Sequence, residues 1–290
     1  MKATRRRAVA VAAAVWIVGL AACRVPERVK AGAGADASAD ASADAGADAD
    51  ADAREDAGAP GERAYGPFEE AFEGKRKVYY VIPRHPGKGR LIANLHGVCN
   101  PPGYACGYWV EAASKAGFLV CPEGNSHCGP GGPPTWTEPV AKMDADLEQA
   151  IHVVDAAHPG EMVREGSVLT GFSLGAYAAV QIARNHPGRW PYLVLNEADV
   201  PLDVAPLRAA GVRAVALLAG ENGSQVAGER RTAERLAKQG FPARLWVMKG
   251  AGHYYSGDID ALMAEAIAFV LAAPDVTDVR SDAGVADAAR

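Results

Sequence analysis

The chain has 290 residues, is 49% hydrophobic and carries a formal net charge of −5 at neutral pH. That length accommodates either one α/β domain of roughly 200 residues or more with tails, or two small domains. The acidic excess sits largely in one low-complexity segment, and no basic stripe with interleaved aromatics is present, which argues against a nucleic-acid partner.

At the amino terminus, Lys2 and Arg5 to Arg7 precede an apolar run from Ala8 to Ala22, which ends at Cys23. The run is too short to span a bilayer comfortably and has the layout of a signal peptide, residues 1–22. Leu20-Ala21-Ala22-Cys23 resembles the lipobox of bacterial lipoproteins, in which the cysteine becomes the lipidated first residue after cleavage. An ordinary secretory signal is the alternative. Either way the domain is expected to be exported, and the lipobox implies a membrane anchor at Cys23 facing the periplasm or cell surface. From Ala31 to Pro60 the chain is nearly all Ala, Asp, Gly and Ser, with Asp36, Asp40, Asp44 and Asp48 recurring every fourth residue. In a helix those carboxylates would stack on one face and repel. With no large apolar side chains to bury, residues 23–64 are expected to form a disordered tether, and residues 274–290 a tail of similar composition.

Between the tails the pattern alternates. Lys77 to Pro83 and Arg90 to Leu95 read as strands, Glu111 to Ala116 as a short helix and Phe118 to Cys121 as a strand. Cys99, Cys106, Cys121 and Cys128 form an even set that export would oxidise to two disulfides. The repeated Cys-x6-Cys spacing favours the local pairs 99–106 and 121–128 among three connectivities, and it does not suit a zinc knuckle. Asp144 to Ala157 places Leu147, Ile151 and Val154 at helical spacing. An apolar strand from Ser167 then ends in Gly171-Phe172-Ser173-Leu174-Gly175, and a helix-forming stretch from Ala176 to Arg184 follows at once. Tyr192 to Leu195, Val212 to Leu218 and Arg244 to Met248 read as strands, and Arg230 to Gln239 and Ile259 to Leu271 as helices. Strands alternating with helices predict a mostly parallel sheet covered on both faces, spanning residues 65–273.

Gly-x-Ser-x-Gly between a strand and a helix is the pattern that holds a serine hydroxyl on a sharp turn above a sheet edge. A serine is a poor nucleophile until a base takes its proton. His253, in Gly250-Ala251-Gly252-His253-Tyr254 just beyond the last strand, is the candidate base. With Leu95-His96-Gly97 after an early strand, these three motifs stand in the order found in the α/β-hydrolase superfamily, which the chain resembles from about Lys77 to Leu271. Within it the chain resembles short-capped, depolymerase-like esterases. The resemblance implies an α/β-hydrolase fold with Ser173 as nucleophile and His253 as general base. It also implies an oxyanion hole built from the backbone N–H groups of Leu174 and Val98, with His96 supporting that hole.

The orienting acid is left open. The superfamily commonly supplies an aspartate three residues after the glycine in the loop beyond the penultimate strand, but Gly223 stands there. Glu221 lies on that loop at another offset. Asp199, with Glu197 beside it, follows the preceding strand, and the absence of any acid is the third possibility. Tyr104, Trp109, Trp136 and Tyr254, together with His96, are candidates for lining a substrate pocket, because open α/β sheets bind ligands at this edge. Nothing resembles a phosphate loop, a dinucleotide fingerprint or a metal triad, so no cofactor or metal is expected. The expected activity is hydrolysis of a small-molecule or polymer ester. The rivals are a serine peptidase and a catalytically degenerate fold used as a tethered binding module.

Overall fold

Residues 61–273, apart from Glu138, are described in a computed structural model. The expected signal peptide, the anchor at Cys23, the tether and the carboxyl-terminal tail lie outside the described residues, except for the last few tether positions. In chain order the elements are β1 (Phe68–Phe72), β2 (Arg76–Val81), β3 (Gly89–Leu95), α1 (Pro102–Tyr108), α2 (Val110–Ala116) and β4 (Gly117–Pro122). A small hairpin, β5 (Ser126–His127) with β6 (Pro134–Thr135), precedes α3 (Val140–Ala157), β7 (Met162–Phe172), α4 (Leu174–Asn185) and β8 (Tyr192–Asn196). The chain continues through α5 (Val204–Ala209), β9 (Ala214–Gly220), α6 (Val226–Lys238), β10 (Ala243–Met248) and α7 (Ile259–Leu271).

Eight of these strands form one sheet in the order β1-β2-β4-β3-β7-β8-β9-β10. β1 and β2 are antiparallel to their neighbours, and every pairing from β4 to β10 is parallel. Interior parallel strands are covered on both faces and therefore read as continuous apolar runs. β4, β8 and β9 are buried along their whole length. The strand period sorts alternate residues to opposite faces. Leu91, Ala93 and Leu95 of β3 join a core with Leu147 and Ile151 of α3, Ile182 of α4 and Leu236 of α6. Ile92 joins the other core, with Ala112 and Ala113 of α2 and Met263 and Ile267 of α7.

The mostly parallel sheet with helices on both faces is as expected, and β1 and α1 are among the elements that were not. β1 carries Glu69 and Glu70 on a largely exposed edge, where charge discourages further strand pairing. α1 opens on Pro102-Gly103 after Pro101, with Pro102 at a first-turn position whose backbone lacks an N–H that would otherwise go unpaired.

The four cysteines pair as Cys99–Cys128 and Cys106–Cys121, in place of the expected local pairs. α1 is the reason. It turns Cys106 onto its buried face against β4, 6.4 Å between Cα atoms from Cys121, and it carries that residue away from Cys99. Peptide mapping without reduction should return these two cross-linked pairs. Replacing Cys106 and Cys121 together by serine should lower the unfolding free energy by about 3 kcal/mol in urea titrations, from the entropy of a 15-residue loop.

Candidate active site

In a parallel sheet every strand delivers its following loop to the same edge, so residues far apart in sequence meet there. His96 follows β3, Ser173 follows β7, Glu197 follows β8, Glu221 follows β9 and His253 lies in the loop after β10. Ser173 sits at φ 53°, in the left-handed region that side-chain-bearing residues rarely occupy, and it heads α4. Two close backbone approaches hold it there. A Cβ on Gly175 would stand 1.9 Å from the Leu95 carbonyl oxygen, and one on Gly171 would stand 2.4 Å from the Gly175 backbone. Glycine at both flanks of the serine is therefore required by packing.

The Ser173 hydroxyl donates to His253 Nε2 at 3.0 Å, and His253 Nδ1–H donates to a Glu197 carboxylate oxygen at 3.3 Å. The imidazole is half exposed, whereas the Glu197 side chain is wholly buried. Glu197 also adopts a left-handed backbone, φ 55°, which turns its side chain from the end of β8 towards the loop after β10. Its second oxygen accepts the Gly220 backbone N–H. A Cβ on Gly223 would lie 3.2 Å from the Glu197 carboxylate, so the glycine that stands where an aspartate is common leaves room for this glutamate.

Neither expected acid meets the imidazole. The Glu221 carboxylate accepts the Gly250 N–H at 3.0 Å and so ties together the loops after β9 and β10. The Asp199 carboxylate packs against Gly228 of α6, where an added Cβ would be 1.8 Å from one of its oxygens. Glu197 was passed over because three acidic positions stand near two strand ends. The available signal is its place directly after β8, whose apolar run Leu193 to Leu195 marks a buried strand, and it is the most deeply buried of the three.

The first backbone amides of a helix have no partner within it and carry the positive end of its dipole. Leu174 is the first residue of α4, so its N–H belongs to the helix's unpaired first turn beside Ser173. Gly97 abuts Ser173, since a Cβ there would lie 3.2 Å from the Ser173 Cβ, and Val98 is the next residue in the chain. The turn is fixed from below. His96 Nδ1–H donates to the Gly97 carbonyl at 2.8 Å, and Nε2 accepts the Gly124 N–H at 2.9 Å. Trp136 stacks on the His96 ring with centroids 5.0 Å apart and donates its indole N–H to the His96 carbonyl. His96, Trp136 and Trp109 are thus buried supports and not pocket walls.

Tyr104 stacks on Tyr255, centroids 4.9 Å apart, and its hydroxyl accepts the Tyr255 N–H. Both rings pack edge-on against Phe172. Tyr254 is exposed beside His253, and Tyr177, one turn along α4 from Ser173, is exposed as well. Val98, Tyr108, Tyr177 and Tyr254 are the exposed large hydrophobic residues among those described, and each belongs to this edge or packs on it. Tyr108 and Tyr177 lay inside helical stretches where sequence pattern gives no sign of an edge position. No cluster of side chains suited to a metal ion occurs among the described residues.

Neither a protein-family model nor a curated sequence matches the chain. Solved structures similar to it include a ferulic acid esterase, 14% identical, covering 70% of this chain and 97% of that one with a TM-score of 0.53. A bacterial heroin esterase is 16% identical, covering 71% and 84% with a TM-score of 0.50. A Bacillus cereus carboxylesterase is 15% identical, covering 68% and 96%, also at 0.50. The chain has the α/β-hydrolase fold.

Burial pushes the His96 imidazole down to about 4, with the Gly97 carbonyl opposing the shift. A proton on Nε2 would also displace the Gly124 amide. The unfolded chain takes up this proton near pH 6.5 and the folded chain does not, so the fold loses stability as pH falls from about 6.5 to about 4. The loss approaches about 3 kcal/mol. In NMR titrations the His96 ring resonances should stay at their neutral positions down to pH 5, while the denaturation midpoint falls.

Proposed function

We propose that the protein is a serine hydrolase that cleaves a carboxylic ester through an acyl-enzyme on Ser173. The observation that carries this reading is the continuous hydrogen-bonded line from the Ser173 hydroxyl through His253 to the buried Glu197 carboxylate, set beside the first turn of α4. Ser173 Oγ attacks the ester carbonyl carbon as its proton passes to His253 Nε2. Glu197 fixes the ring with Nδ1–H towards itself and stabilises the imidazolium that forms. The carbonyl oxygen becomes an oxyanion facing the Leu174 and Val98 amides, each such donor lowering the barrier by about 3 kcal/mol. The tetrahedral intermediate collapses, the imidazolium gives its proton to the leaving alcohol, and the acyl group stays on Ser173. Water then repeats the sequence with His253 as base and releases the acid.

Two further observations favour this reading over its rivals. Gly223, the departure that motivated a degenerate binding module, leaves the space that the Glu197 carboxylate uses. The structural neighbours named above carry esterase names, which favours esters over peptides.

A fluorophosphonate probe should label the wild-type protein and leave Ser173→Ala unlabelled. Folded wild type that takes no label would count against the enzyme. Against a p-nitrophenyl ester, Glu197→Gln should lower kcat by about 10⁴, the effect of losing the orienting carboxylate, while Glu221→Gln stays within about twofold.

The reading extends to location. The two cystines fit an oxidising compartment, and Leu20-Ala21-Ala22-Cys23 supports attachment by a lipid at Cys23. No described helix is long and apolar enough to cross a membrane. Expressed in a bacterium, Cys23→Ala should move the protein from the membrane fraction to the soluble one, and unchanged retention would refute the anchor.

A further inference from the structure

A second carboxyl lies behind Glu197. Glu229, in the first turn of α6, is only 1% exposed. One of its oxygens accepts the Ala198 N–H at 2.7 Å, and the other is buried without a hydrogen-bond partner. Ala198 is the residue immediately after Glu197, whose φ of 55° needs support from its surroundings. Glu197 is thus held twice. The Gly220 amide grips its carboxylate, and Glu229 grips the peptide that follows it.

We propose that Glu229 is a positioning residue for the reaction at Ser173: by holding the Ala198 amide it locks the left-handed turn at Glu197 and delivers that carboxylate to His253. This rests on the serine-hydrolase reading. Glu229 works in its acid form. Burial above all, and then the negative charges of Glu197 and Asp199, push its carboxyl up to about 9, against the pull of the Ala198 amide. Tyr177 of α4 faces the same group, and its hydroxyl is raised by burial and by Asp199 and Glu229 together. β9 presents only uncharged residues, and Arg244 of β10 lies over the Trp246 ring. A proton on Glu229 therefore keeps a second negative charge away from the Glu197–His253 pair, where it would shift the basicity of the imidazole.

The experiment compares Glu229→Ala and Glu229→Gln in the full chain by two routes. The His253 imidazole is titrated by NMR, which needs no turnover, and kcat and KM are measured with a p-nitrophenyl ester. Alanine frees the turn, so Glu197 withdraws and the His253 titration curve should differ from that of wild type. kcat should fall by about tenfold to a hundredfold, the scale of an ångström-sized misplacement, with KM within about threefold. Glutamine keeps the carbonyl that accepts the Ala198 amide and carries no charge, so it should recover most of that loss. Alanine leaving both the His253 titration and kcat at wild-type values would overturn the proposal. So would glutamine performing as poorly as alanine while remaining folded.

Thermal melts of Glu229→Gln provide a readout that does not require the alanine variant to fold. A carboxyl whose folded value is raised stabilises at low pH and loses that contribution as pH climbs from about 4.5 to about 9. The glutamine variant has no such loss, so its Tm should exceed that of wild type by a margin that grows across this window. A margin independent of pH would overturn the acid-form assignment. Should wild type neither turn over ester nor take fluorophosphonate, the serine-hydrolase reading fails, and the NMR titration still decides whether Glu229 places Glu197.

Discussion

Everything at the sheet edge depends on one backbone conformation, the left-handed Ser173 between β7 and α4. It is adopted because the chain has to reverse direction within a single residue while α4 presses against the end of β3. The Gly175–Leu95 approach leaves no room for a methyl group, so the strain at Ser173 is imposed by the packing of helix on strand. The same contact brings the amino-terminal end of α4 beside the Gly97 turn. The placement of the Ser173 hydroxyl and of the first α4 amides therefore follows from one geometric decision.

The charges around the site follow from burial. Glu197 is buried inside the protein, and its hydrogen-bond partners are the Gly220 amide and the His253 ring, with no arginine or lysine paired to it among the described residues. An arginine there would hold the carboxylate more tightly and would compete with the imidazole for it. Glu229, equally buried and without a cation, responds in the way a desolvated acid should, by keeping its proton. Two chemically identical side chains thus sit in different surroundings: Glu197 faces an imidazole and a backbone amide, whereas Glu229 is bonded to a backbone amide.

The parallel sheet and the meeting of Ser173 with His253 were legible because glycine spacing and apolar runs are local signals. The strand order was not written locally, and the features that depend on it were the ones misread. Glu197, Asp199 and Glu221 are acids near adjacent strand ends, and only the backbone turn at residue 197 aims one of them at the imidazole. The cysteines show the same limit. Equal spacing suggested local pairs, but a helix between Cys99 and Cys106 turns the second onto β4, and sequence distance then ceases to predict contact. Tyr108 and Tyr177 were hidden for a related reason, since an aromatic on a helix reads as core until the neighbouring elements are placed.

The two cystines are nested, with Cys106–Cys121 inside the ring closed by Cys99–Cys128. The outer ring contains α1, α2, β4 and β5, and it closes next to Val98. A protease that cuts once anywhere from 99 to 128 opens a loop without releasing a fragment, because the severed ends stay joined through sulfur. In the exported hydrolase proposed above, the loop-rich stretch from 99 to 128 is the part of the sheet edge that survives nicking in one piece.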